Sequence, residues 1–124
     1  ASYKDGDFDV IYAMNADIYI GTVKALESAG KLNNPIKVIT HNGRAEDLDG
    51  VAQGKALVTL ANSPTYEAGI MLRIVISALN GEEVPKVVET PFVMVTKDNL
   101  DEAFGWAIES SWKGYVYGSY TAVK

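Results

Sequence analysis

Along this chain, short apolar runs alternate with longer stretches whose apolar residues recur every three or four positions. Residues 8–14 are dominated by Phe8, Val10, Ile11, Tyr12 and Ala13, follow Gly6 and end at a polar break, so they predict a short buried strand. Ile18, Ile20, Val23, Ala25 and Leu26 then form the apolar stripe of a helix over about 17–29. Asn15 or Asp17 serves as its cap and Gly30 as its stop. Pro35 opens a second buried strand, Ile36-Lys37-Val38-Ile39-Thr40, and Gly43 permits the tight turn that follows. Glu46 and Asp47 supply an acidic helix start, in a short helix ending near Gly54. A third strand, Ala56-Leu57-Val58-Thr59-Leu60, stops at Asn62-Ser63-Pro64, where Pro64 or Thr65 starts another helix. The period is βαβαβα.

The third helix, from about Thr65 to Leu79, is apolar round most of its circumference, with Glu67 and Arg73 its only charges, so it needs cover on more than one side. Asn80-Gly81 ends it. Residues 82–91 read as an extended connection and Phe92-Val93-Met94-Val95-Thr96 as one more strand. Asp98-Asn99 reads as the start of a last helix carrying Ala103, Phe104, Trp106, Ile108 and Trp112. The pattern leaves the aromatic tail, residues 115–124, unassigned. These elements predict an α/β fold, a three-layer αβα arrangement around a mainly parallel sheet.

A chain of 124 residues, 48% apolar and 22% charged, fits one globular domain with a real core. The net charge of −5, with no run of lysine or arginine, argues against a nucleic-acid partner. The absence of cysteine excludes disulfides, thiolate metal sites and thiol catalysis. No stretch is long and apolar enough to span a bilayer, and the first residues lack the features of a signal peptide.

The candidate chemistry lies at the strand ends. Asn15, Asn42 and Asn62 each follow a predicted strand, and in an alternating α/β protein the carboxyl ends of neighbouring strands open into one crevice. Amides both donate and accept, which suits a neutral polyol. Taken singly, each asparagine is better explained by turn and cap chemistry; it is the same relative position on three successive units that points to a ligand. Tyr12 lies close to the mouth that Asn15 lines and offers an aromatic face to a sugar ring, whereas core packing is the expected role of Trp106, Trp112 and the tail tyrosines. His41, the single histidine, reads as structural or as a peripheral ligand contact. Without a second histidine, a suitably spaced carboxylate or a G-x-S-x-G serine, it makes neither a metal centre nor a catalytic pair. The acids of 46–49, 82–83 and 98–102 read as solvated dipole partners. No phosphate-binding glycine motif occurs, and no cofactor is expected.

Taken in order, several stretches resemble a known family. They are Asp9-Val10-Ile11-Tyr12-Ala13-Met14-Asn15, Val38-Ile39-Thr40-His41-Asn42-Gly43, Gly54-Lys55-Ala56-Leu57-Val58-Thr59, Ser63-Pro64, Leu79-Asn80-Gly81-Glu82-Glu83-Val84-Pro85 and Val95-Thr96-Lys97-Asp98-Asn99. Together they resemble the carboxyl-terminal part of the type I periplasmic sugar-binding proteins, the ribose- and galactose-binding class that feeds ABC transporters. The resemblance implies a non-enzymatic solute-binding component of an importer, periplasmic or extracytoplasmic, held as a cell-surface lipoprotein in a Gram-positive cell. It works with a membrane permease and closes two lobes over a sugar or similar polyol.

In that family the strand ends matched by Asn15, Asn42 and Asn62 bond the sugar hydroxyls. This chain differs in having Asn42 and Ala16 where aspartates are usual. The family's members are more than twice as long. The resemblance therefore implies that residues 1–124 form a single partial domain, a piece of one lobe, with residues 65–80 belonging to the opposite lobe. Such a piece is expected to bind weakly or not at all alone, or to complete itself by homodimer formation or swapping. Two other readings are an effector domain of a lac-repressor-type regulator, which shares the fold, and a small α/β hydrolase or isomerase.

Overall fold

The structure, a computed structural model, describes Lys4, residues 6–103 and the strand Thr121–Ala122. The chain divides into two compact units. The first comprises residues up to Ala61 together with Val93–Ala103; the second comprises Asn62–Phe92 with the strand Thr121–Ala122.

The first unit contains β1 (Val10–Ala13), α1 (Ala16–Ser28), β2 (Lys37–Asn42), α2 (Ala45–Ala52) and β3 (Val58–Ala61). Strands β1, β2 and β3 run parallel in that order. The strand β5 (Val93–Val95) adds to the far side of β3 in the antiparallel sense. The sheet is thus open and mostly parallel, as the alternating pattern predicts.

The register places Ala13, Thr40, Thr59 and Val95 side by side across all four strands, and none of the four is exposed. This face carries the core. Tyr19, Val23 and Leu26 of α1 and Val51 of α2 pack with Ala13, Ile36, Val38 and Ala56. On the opposite face, alternation puts Val10, Tyr12, Ile39, His41, Leu60 and Met94. Val10, Tyr12 and Met94 are each about half exposed or more. The strands therefore depart from the expectation of runs buried on both sides. Their apolar continuity suits two covered faces, but α1 and α2 both lie on one.

Glycine sets the three helix ends. After α1 and α2, Gly30 and Gly54 adopt positive φ, and the next two amides bond back to carbonyls of the last turn: Lys31 to Leu26 at 2.8 Å and Lys55 to Gly50 at 2.8 Å. Lys55 also pairs with Glu27 at 2.8 Å, joining the loop after α2 to α1.

Beyond β5 the expected helix does not begin at Asp98. The Asn99 side chain accepts from the Thr96 amide at 2.7 Å and donates to the Met94 carbonyl at 3.1 Å, which makes a turn. Among the described residues the 3-10 turn Leu100–Glu102 follows, and Ala103 is extended. Phe104, Trp106, Ile108, Trp112 and the tail tyrosines lie outside the described residues.

The second unit holds α3 (Pro64–Leu79) and the antiparallel pair of β4 (Val88–Glu89) and β6 (Thr121–Ala122). The Ser63 hydroxyl caps α3 by accepting from the Tyr66 amide at 3.4 Å, Pro64 occupies the first turn and Gly81 closes the helix. Tyr66 and Ile70 are buried, while Met71, Leu72, Val75, Ile76 and Leu79 are all more than half exposed. No helix among the described residues is long and apolar enough to cross a membrane.

Candidate ligand-binding site

Parallel pairing brings the carboxyl ends of β1 and β2 to one edge of the first unit. Asn42 is the last residue of β2, paired with Ala61 of β3, and Asn15 lies two residues past the end of β1, so both stand at the carboxyl ends of neighbouring parallel strands. Asn15 caps α1: its Oδ1 accepts from the Ile18 amide at 2.8 Å. The oxygen is thereby committed to the helix, and the Nδ2 group is the part suited to meet a ligand.

Asn42 ends β2 with φ at 95°, a left-handed conformation that side-chain-bearing residues rarely adopt, and Gly43 continues it at 65°. A Cβ on Gly43 would lie 2.7 Å from the Ala61 Cα and closer still to its Cβ, so only glycine fits where the loop presses on β3.

Behind this turn is a carboxylate that the sequence pattern places in solvent. Asp47, expected as a solvated dipole partner, is completely buried. Its Oδ1 accepts from the Thr40 hydroxyl at 2.8 Å and its Oδ2 from the Arg44 amide at 3.0 Å. Burial pushes the Asp47 carboxyl above the ordinary aspartate value, and the bonds from Thr40 and Arg44 pull against that shift. Arg44 in turn bridges Asp17 at 3.1 Å and Glu46 at 2.9 Å, tying the loop to the first turn of α1. Its guanidinium holds the Glu46 carboxyl below the ordinary glutamate value.

Tyr12 and His41 are brought together. The Tyr12 hydroxyl lies 2.9 Å from His41 Nδ1, and the two rings are tilted with centroids 6.5 Å apart. Both belong to the half-exposed sheet face, opposite Ala13 and Thr40.

Asn62, the residue after Ala61, belongs to the second unit. There its Nδ2 donates to Glu67 Oε1 at 3.0 Å, and the same carboxylate oxygen accepts from the Thr90 hydroxyl at 3.2 Å. The Asn62 Oδ1 is buried and has no donor among the described residues. An acceptor in that state costs about 1–3 kcal/mol.

The structure adds Thr40, Asp47, Arg44 and Glu67 to the residues singled out from sequence. Only the acidic first turn signalled Asp47, and nothing in the local pattern distinguishes a buried acid there from an exposed one. No group of three or more histidine or acidic side chains among the described residues is placed to hold a metal. A cavity of about 410 Å³, lined by Phe8, Leu26, Lys31, Pro35 and Ile36 among others, opens at the amino ends of β1 and β2, away from these asparagines.

An open, mostly parallel sheet with polar residues at the carboxyl ends of its strands is the arrangement in which α/β proteins place their ligand sites. Residues 1–83 match the periplasmic binding protein domain, and the chain belongs to that family. It is 32% identical over 97 residues to a xylitol-binding protein of Mycolicibacterium smegmatis, covering 77% of this chain and 27% of that protein. Among solved structures, it resembles a Caulobacter myo-inositol binding protein bound to myo-inositol, with TM-score 0.66 and 28% identity, covering 77% of this chain and 32% of that one. It also resembles an Agrobacterium vitis ABC transporter solute-binding protein with bound D-fucose, with TM-score 0.69 and 26% identity, covering 79% and 33%. The chain spans about a third of the length of these relatives.

Proposed function

We propose that this chain is part of an extracytoplasmic solute-binding protein of an ABC importer, one that takes up a neutral sugar or polyol by lobe closure and delivers it unchanged to a membrane permease. In this reading the protein is periplasmic, or a cell-surface lipoprotein in a Gram-positive cell, and performs no chemistry. The observation that carries the reading is the position of Asn15 and Asn42 at the carboxyl ends of neighbouring parallel strands. Asn15 offers a donor, and Asn15, Asn42 and Asn62 all carry uncharged amides, which give and take hydrogen bonds as the hydroxyls of a polyol do. Tyr12 adds an aromatic face, and His41 a support for its hydroxyl, at the periphery. The names of the relatives favour polyols and monosaccharides as the class to try first.

The division of the chain at Ala61 and at Val93 supports assigning residues 65–80 to the opposite lobe of a longer parent. A piece of this kind has only part of the ligand's hydrogen-bond partners, so it is expected to bind more weakly than millimolar. Titration of the chain with myo-inositol, xylitol and D-fucose, followed by amide chemical shifts, tests the reading. The expected result is weak, saturable shifts centred on Asn15, Asn42 and Asn62. In the full-length parent, Asn15→Ala and Asn62→Ala should each cost about 1–3 kcal/mol of affinity. Equal affinity in both variants would reduce the asparagines to turn residues. Millimolar or tighter binding by the monomer would refute the two-lobe reading.

A further inference from the structure

Asp47 is the one charged side chain among the described residues that is fully buried. Burial of a carboxylate is unfavourable unless its oxygens are bonded, and here each oxygen has a separate task. One accepts from the Thr40 hydroxyl and the other from the Arg44 amide. Thr40 lies two residues before Asn42 and Arg44 two residues after it, so a single carboxylate grips the chain on both sides of the left-handed pair Asn42-Gly43. A simple helix cap needs only the bond to the Arg44 amide. The bond to Thr40, reaching back into β2, has no part in capping.

Two further contacts hold the same loop. Gly43 is pressed on Ala61 so closely that no side chain fits, which blocks movement toward β3. The Arg44 guanidinium reaches Asp17, two residues past Asn15, which braces the loop toward the start of α1. A strained φ persists where its surroundings over-determine it, and such over-determination concentrates at functional sites.

We propose that Asp47, acting through Thr40 and the Arg44 amide, is a positioning residue that fixes the backbone of Asn42 and so the direction in which its amide meets a ligand. The inference rests on the reading of Asn42 as a ligand contact and adds to it a specificity-determining residue that touches no ligand. The carboxylate works at one remove: the sheet edge presents a neutral amide, and the charge that orients it is sealed behind the turn.

The test compares Thr40→Val, which removes the hydroxyl at nearly constant shape, Thr40→Ser, which keeps it, and Asp47→Asn, which leaves a single acceptor for two donors. Three readouts are taken on the 124-residue chain: the φ-dependent HN–Hα coupling of Asn42, hydrogen exchange of the β2 and β3 amides, and titration with myo-inositol and xylitol. Thr40→Val and Asp47→Asn are expected to average the Asn42 coupling away from its left-handed value and weaken polyol binding about tenfold, the strands staying protected. Thr40→Ser should match the parent in all three.

An unchanged Asn42 coupling in both disruptive variants overturns the proposal, as does an altered coupling with unaltered polyol affinity. If Asp47→Asn fails to fold, Thr40→Val decides. Should neither polyol bind the 124-residue chain, as a partial site allows, the ligand reading is decided by the same titration on the full-length parent, and the fixing of Asn42 by Asp47 is judged on the coupling.

Discussion

Asn15 shows how one side chain serves a fold and a site together. Its Oδ1 satisfies a free amide of the first turn of α1, the ordinary cap role legible in the sequence, and the same bond leaves its amide hydrogens oriented. The alternatives of cap and ligand contact are therefore compatible. Asp47 was illegible for the opposite reason: an acid in a first turn is normally solvated, and only the packing of α2 on β2 puts Thr40 within reach.

A second buried ionisable group yields a pH prediction. Tyr19 is only 3% exposed, and burial first, then the negative charges of Asp47 and Glu27, push its phenol up to about 12. The neutral form is thus favoured in the folded chain. Its contribution to stability is complete below pH 10 and is lost as pH rises from 10 to about 12. The loss should reach about 2–3 kcal/mol. Urea unfolding across this range should show the parent losing that much relative to Tyr19→Phe; parallel curves would refute the assignment.

At the level of elements, helix punctuation was the most readable signal, because glycine at the position after a cap relieves a steric cost that depends only on local φ. Gly30, Gly54 and Gly81 all end helices where the pattern puts them. The direction of β5 was not legible, since the apolar pattern of a strand is the same in either sense and only pairing with β3 sets it. Burial on a single face was likewise hidden, because apolar runs register the capacity to be covered and not the cover itself.

The contact between α1 and α2 depends on one small residue. A Cβ on Gly50 would overlap the Tyr19 hydroxyl and lie 2.6 Å from its ring carbon Cζ. Tyr19 is too buried to move aside without cost, so Gly50→Ala should destabilise the chain by about 1–3 kcal/mol. Tyr19→Phe should rescue only part of this, because the ring carbon still collides. Thermal unfolding of the two single variants and the double variant measures both effects. A Gly50→Ala midpoint equal to the parent's would show that the two helices are not held at this distance.

At the scale of the molecule, the exposed apolar side chains of α3 fall into one stripe. Met71, Val75 and Leu79 are four residues apart, and Leu72 and Ile76 run beside them, so all five share one helix face. The sequence already marked this helix as needing cover on more than one side, and among the described residues of the helix Tyr66 and Ile70 are the buried ones. Isolated exposed leucines are ordinary, but a contiguous apolar stripe of this length promotes association. The isolated 124-residue chain should therefore self-associate along α3, its weight-average mass rising with concentration above the monomer's 13.4 kDa in sedimentation equilibrium. Leu72→Lys combined with Ile76→Lys places two like charges on the stripe without touching Tyr66 or Ile70, and should return the chain to monomer with its fold intact. A parent that stays monomeric at every concentration, or a double variant that associates as the parent does, would show that α3 is not the contact. A monomeric double variant would also permit polyol titration free of self-association, separating the weak binding expected of a partial site from occlusion by a second copy.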